Sequence, residues 1–360
     1  MRGLILAINP GSTSTKIAVF EKDVKVKQTN ITHDATELAK YERIADQFEF
    51  RKQQIITYLN QEGIDIREFD CIVGRGGLLR PMPSGTYKVT DMMIEDLKIG
   101  YQGEHASNLG GIIAKSIADE IGKEAYIVDP VAVDEFEDIA RISGIPEIQR
   151  RSLVHALNIK AVSRRVAKQL GKKLDDCNFI VAHLGGGISV APLKKGRIVD
   201  VNNANESGPF SPERCGQVPV GDLVRLAFSG KYTYKELKKK MVGQAGLVGY
   251  LGTNDARVVE EMIKNGDQKA KLIFEAMCYQ IGKEIGAVST VLFGDVDRII
   301  LTGGLAYSER LVNYVTDMVK FIAEVVVVPG EDEMQALAEG AYRVLIGEEK
   351  AKIYEEEVKI

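Results

Sequence analysis

Hydrophobic positions along the chain fall into short runs and helical stripes. Leu4 to Asn9 and Thr15 to Phe20 are apolar runs of strand length separated by PGSTS, and KDVKVKQTN adds a third strand of alternating polarity. From about Ala35 to Glu62 apolar residues recur three and four apart, at Ile44, Phe48, Ile55 and Leu59, which predicts a helix. FDCIVGRGG reads as a buried strand closed by a glycine turn, and TYKVTDMMIEDLKIG as a short strand followed by a helix capped by Thr90. A helix from Ala106 to Ile121 and the strand EAYIVDP, ended by Pro130, complete a first cycle.

The pattern then starts again. A helical stripe from about Leu153 to Leu170 leads into the strand NFIVAHLG, a glycine turn, the strand ISVAPL and the segment KKGRIVDVNN. Two halves that each begin strand, small-residue turn, strand, turn, strand predict a duplicated domain with a cleft between the halves. Helices from about Val258 to Val291, the strand DRIILTGG, a helix from Glu309 to Val319, the strand AEVVVVPG and a helix from about Met334 to Ile346 follow. The boundaries expected are residues 1–148 joined by the carboxy-terminal stretch 336–360, and residues 149–335. The tail EEKAKIYEEEVKI is charged and is expected to be a solvated periphery.

Composition narrows the function classes. At 360 residues, 45% hydrophobic and 27% charged, the chain is long enough for two well-buried cores. Its 47 basic and 51 acidic residues leave a net charge of -4, so no overall basic field draws it to nucleic acid or to a membrane surface. The four cysteines are far apart, without a CxxC pair, and read as free thiols of a cytoplasmic protein.

Candidate chemistry lies in loops at strand ends. NPGSTSTK lacks both GxxxxGK[ST] and GxGxxG and runs into a strand rather than a helix, so by itself it is either a phosphate loop or a polar hairpin. HLGGGIS brings three glycines, Gly185, Gly186 and Gly187, where backbone N–H groups can approach an anion, with His183 beside them. GRGG holds Arg75 in a tight turn, where a guanidinium fork suits an anionic ligand. LTGG carries Gly303 and Gly304 at a helix start. NNANESGPFSPERCG, too rich in turn formers for regular structure, is a surface loop or an active-site wall. Carboxylates available to a divalent cation are Asp129 and the run Glu331, Asp332, Glu333, which also suits a helix start without any metal.

INPGSTSTKIAVF, VGRGGLLRPMPSGTY, HLGGGISVAPLKKGRIVDVNNANESGPFSPERCG and LTGGLAYSERL together resemble the acetate and butyrate kinase family, over residues 5 to 308. The resemblance implies an α/β, duplicated ribonuclease H-like fold of the actin and sugar-kinase type, and reversible transfer between ATP/ADP and a short-chain acyl phosphate with Mg2+. It implies Arg75, Asp129, His183 and Arg214 as catalytic residues, and Asn9, Ser12, Gly185, Gly186, Gly187, Asp255, Arg257, Gly303 and Gly304 on the nucleotide and phosphate side. Glu333 matches the magnesium-associated glutamate, while His155, Met82 and Val131 fall on the acid side. RRSLVHA departs from the family's RRYGFHGTSH after His155. The expected partner is a short-chain carboxylic acid or acyl phosphate, with butyrate first and acetate, propionate or isobutyrate as alternatives. A homodimer or higher homo-oligomer is expected. A sugar kinase or a non-enzymatic nucleotide switch on the same fold is the competing reading.

Overall fold

The structure is a computed structural model that describes residues 2–358. The chain forms two compact units: one comprises the chain up to Asp134 together with that from Asp332 onward, the other Glu135–Glu331.

The first unit is built on β1 (Leu4–Pro10), β2 (Ser14–Glu21), β3 (Val24–Thr32), β4 (Cys71–Arg75), β5 (Thr86–Lys88) and β6 (Glu124–Val128). The second holds β7 (Phe179–Leu184), β8 (Ile188–Lys194), β9 (Arg197–Ile198), β10 (Arg298–Gly303) and β11 (Val325–Pro329), and the last strand, β12 (Lys352–Ile353), belongs to the first. The sheets run β12-β5-β6-β4-β1-β2-β3 and β11-β10-β7-β8-β9. β1, β2 and β3 form an antiparallel meander, with β4 parallel to β1 and β6 parallel to β4. β7, β8 and β9 repeat that meander, with β10 parallel to β7 and β11 parallel to β10. The same five-strand order and directions therefore occur twice, which is the duplicated actin-like fold.

Burial follows strand position. β1 lies between two neighbours, so Ile5, Leu6 and Ile8 are fully buried, whereas edge strand β3 alternates exposed and half-buried residues. The helix Asn108–Glu120 crosses from β4 to β6 and lies unusually close to β4: a Cβ on Gly74 would overlap the Gly110 carbonyl, and one on Gly110 would overlap the Arg75 backbone. These two glycines bring the helix onto the end of β4, where Arg75 stands.

Two local expectations are corrected. The helical stripe from Ala35 is not continuous; it breaks into Ala35–Leu38, a 3-10 turn Ile44–Gln47 and the helix Phe48–Gln61. Arg43 is extended at the break, with its guanidinium on Glu104 and the Lys98 carbonyl. The tail is not merely solvated: β12 pairs with β5, and Tyr354 is fully buried, donating to Asp96 Oδ2 at 2.9 Å while accepting from the Arg80 N–H at 3.0 Å. A buried aromatic ring with a satisfied hydroxyl outweighs the charge around it.

Candidate active site

In the first unit, the end of β1, the end of β4 and the start of the helix Glu333–Leu345 bring three predicted residues together. Asn9 Nδ2 donates to Glu333 Oε2 at 2.5 Å, and Arg75 Nη2 lies 3.1 Å from Glu333 Oε1. Arg75 is buried, and its Nη1 has no hydrogen-bond partner among the described residues. An unsatisfied buried guanidinium nitrogen is costly without an anionic oxygen to receive it. Arg75 is one of the residues lining a cavity of about 310 Å³, with Asn9, Ser14, His105, Val131 and Glu333. Lys16 lines it as well. Ser12 is exposed one turn away and Ser14 is the hairpin serine at the wall.

Asp129 is completely buried and has a φ of 38°, a conformation rare for a residue with a side chain. Its Oδ1 accepts from Ser84 Oγ at 2.6 Å and the Gly85 N–H at 2.8 Å, tying it to the SGTY turn. Met82 is buried and pairs through its backbone with Val133 and Ala132, so its side chain belongs to the core beside the cavity. His105 Nδ1 is 2.8 Å from Ser107 Oγ, and burial, aided by the charge of Arg75, holds its imidazole below the usual pKa.

In the second unit, His183 on β7 and His155, just ahead of the helix Ala156–Gln169, stack with ring centroids 4.0 Å apart and an interplanar angle of 10°. Asn158 Nδ2 lies 2.9 Å from His183 Nδ1 and 3.1 Å from Thr302 Oγ1. An amide donor at Nδ1 leaves Nε2 to carry the ring hydrogen, and Nε2 is 3.5 Å from Glu331 Oε2. His155 Nδ1 is 2.9 Å from Ser189 Oγ.

The NNANESGPFSPERCG segment is ordered because Asn202 behaves as an extra strand residue, receiving the Val190 N–H at 2.7 Å and donating to the Ile188 carbonyl at 2.8 Å. Ser211 Oγ donates to the Gly186 carbonyl at 2.5 Å and accepts the Arg214 N–H at 3.2 Å. Arg214 therefore lies against the glycine loop, so close that a Cβ on Gly187 would overlap its guanidinium. Burial pushes its pKa down from the usual arginine value. Beyond Gly185 and Gly186 opens a cavity of about 660 Å³, also lined by Glu213, Asp255, Arg257 and Gly304. Asp255 caps the helix Ala256–Lys264 and holds the Arg257 guanidinium, which pulls its carboxyl down to about 2. Gly303, at φ 89°, exchanges two hydrogen bonds with Gly330 and packs on the Leu184 backbone. Its close approach is a requirement of the sheet as well as of the cavity.

The model of the Acetokinase family matches residues 146–355. The chain belongs to the acetokinase family. It is 56% identical over 350 residues, 97% of this chain and 99% of the other, to a protein named probable butyrate kinase 2 from Caldanaerobacter subterraneus subsp. tengcongensis. Among solved structures, it is similar in fold to the acetate kinase of Porphyromonas gingivalis, with a TM-score of 0.78 at 21% identity, covering 95% of this chain and 99% of that one. A propionate kinase from Francisella tularensis subsp. tularensis superposes with a TM-score of 0.74 at 17% identity, covering 93% and 98%. As an acetokinase, the chain is an ATP-dependent kinase. No helix among its described residues is long and apolar enough to cross a membrane.

The acetokinase clusters contain residues that the sequence did not single out. Asn158 and His105 are solitary polar residues on helical or turn segments, where a surface role is the default expectation. Glu331 reads in the sequence only as part of an acidic run.

Proposed function

We propose that the protein phosphorylates butyrate from ATP, giving butanoyl phosphate and ADP, and runs the reverse transfer with the same residues. The observation that carries this is Arg75, whose buried Nη1 has no partner among the described residues and which lines a small cavity with an apolar wall at Val131, an arrangement that suits a short acid's carboxylate and alkyl end. The identity to a butyrate kinase relative supports butyrate over acetate or propionate.

A carboxylic acid of pKa about 4 to 5 is already ionised at neutral pH, so the acceptor needs no general base. The task left to the protein is electrostatic: to neutralise two anions and to stabilise the equatorial oxygens of the transferring phosphoryl group. Arg75, Arg214 and the Nε2–H of His183 are the donors we assign to it, with Asn9 and the Gly185–Gly187 backbone toward phosphate and Asp255, Gly303 and Gly304 toward the nucleoside. His155 holds the plane of His183 by stacking. Asp129, not required as a base, fixes the SGTY turn and adds a carboxylate near it.

Among the described residues no group of three or more His, Cys, Asp or Glu could hold a metal ion. We assign Mg2+ to arrive with its nucleotide, as an ion that takes most of its ligands from phosphate and water and one or two carboxylates from protein. Glu333, with Asp129 as the second candidate, would hold it through water, and the ion would supply charge neutralisation at the phosphates. The same reading takes the working protein as a cytoplasmic homodimer or higher homo-oligomer.

The test is hydroxamate formation from ATP, hydroxylamine and a panel of acetate, propionate, butyrate and isobutyrate, with and without Mg2+. The highest kcat/KM is expected for butyrate and no turnover without the ion. A folded sample that turns over none of these acids, or that phosphorylates a sugar instead, overturns the proposal.

A further inference from the structure

We infer that Arg51 is a positioning residue for phosphoryl transfer: its buried guanidinium turns the carbonyls of the NPGSTST hairpin inward, leaving N–H groups and a positive charge for the anion. This rests on the reading of that hairpin as phosphate-facing.

Arg51 sits on the helix Phe48–Gln61 and is 1% exposed. Its Nη1 donates to the carbonyls of Gly11 at 2.7 Å and Ser14 at 3.1 Å, with Thr15 Oγ1 at 3.3 Å, and its Nη2 donates to the Ser12 carbonyl at 3.0 Å. Gln47 Oε1 receives Nε and Nη2 at 3.2 and 2.9 Å and fixes the plane of the fork. Three carbonyls of one tight loop thus converge on one cation. A loop whose carbonyl oxygens point away from a ligand presents the opposite polarity toward it, as in a backbone anion nest. Consistent with this, the N–H groups of Ser12 and Thr13 have no acceptor among the described residues, and both residues are exposed.

Among the described residues no carboxylate balances this charge. Arg51 has no ion pair among the described residues. Its ionisable neighbour is His33, whose Nε2 is 2.7 Å from Thr15 Oγ1, and burial together with the charge of Arg51 pushes His33 down to about 4, so it is neutral at working pH. Burial lowers Arg51 itself to about 10, which leaves it charged. Buried uncompensated charge is costly, and an anion bound at the hairpin offsets that cost. Arg51 touches no reacting atom in this reading; it acts through the loop.

The experiment compares wild type with Arg51→Ala and Arg51→Lys in steady-state turnover of butyrate and in thermal shift on adding inorganic phosphate. For Arg51→Ala we expect kcat to fall about 10- to 100-fold, the scale of losing a group that orients ligand-contacting residues. The KM for butyrate should be little changed. Phosphate should raise the Tm of wild type and not that of Arg51→Ala, and added methylguanidine should restore kcat saturably, which repair of a purely structural defect would not do. Arg51→Lys, which keeps the charge and loses the fork, should keep the phosphate shift and lose kcat. Should Arg51→Ala fail to fold, Arg51→Lys decides: unchanged kcat overturns the inference. So does a folded Arg51→Ala with wild-type kcat and phosphate shift. If wild type turns over no short acid, the proposed function falls, while the phosphate shift still reads the role of Arg51.

Discussion

The imidazole rings of His155 and His183 lie face to face, 4.0 Å between centroids and 10° from parallel. His183 is thereby fixed in plane by a ring and in tautomer by Asn158, whose amide donates to Nδ1. Replacing Asn158 with Asp puts an acceptor where a donor stood and moves the ring hydrogen to Nδ1. The expected result is a kcat loss of about 10- to 100-fold with butyrate and ATP, the usual scale for such orienting partners. Steady-state kinetics together with nitrogen chemical shifts of His183 check it, and an unchanged tautomer with unchanged kcat would defeat the assignment.

Arg75 and Arg214 carry the two guanidinium groups assigned to the transferring phosphoryl and the carboxylate. Truncating either to Ala is expected to lower kcat roughly 100-fold or more, as removal of one transition-state donor does. Arg75→Ala also separates Glu333 from its 3.1 Å partner, so a raised Mg2+ requirement should accompany it. Retention of full kcat in both variants would sink the roles proposed for them.

Gly187 makes a sterically distinct prediction. A methyl group there overlaps the Arg214 guanidinium, so Gly187→Ala displaces that side chain without touching its charge. Misplacement of a catalytic group by about 1 Å can cost on the order of 100-fold, and a kcat loss of that order is expected with Tm close to wild type. Activity equal to wild type would mean that Arg214 is not held against the loop.

His33 gives a pH signature of stability. Its pKa is lowered from the usual 6.5 to about 4 by burial first and by Arg51 second. Between those values the unfolded chain binds the proton and the folded one does not, so stability falls as pH drops from about 6.5 to about 4 and levels below it. Thermal melts across that window should show the slope, and His33→Gln should flatten it; an identical slope in the variant refutes the attribution.

Much of the fold was legible because its signals are local. Strand-length apolar runs and the small-residue turns after them marked β1, β2, β7 and β8, and the repeat of that pattern marked the duplication. Arg75 and His183 stood out because each is a cationic or donor side chain inside or beside a glycine turn at a strand end, and Arg214 through the family resemblance of the GPFSPERCG stretch. The break near Arg43 and the docking of Tyr354 were not legible, since a helical stripe and a charged tail look the same whether or not a distant partner is present.

The sequence by itself determined the element types, the twofold repeat and the family resemblance, because periodicity and turn chemistry depend on neighbours a few residues apart. Tertiary structure alone decided that Asn9 meets Glu333, that Asn158 bridges His183 and Thr302, and that Arg51 gathers the carbonyls of the hairpin. Those pairings join residues far apart in the chain, and a polar side chain's partner is set by which strands and helices pack together rather than by anything in its own segment.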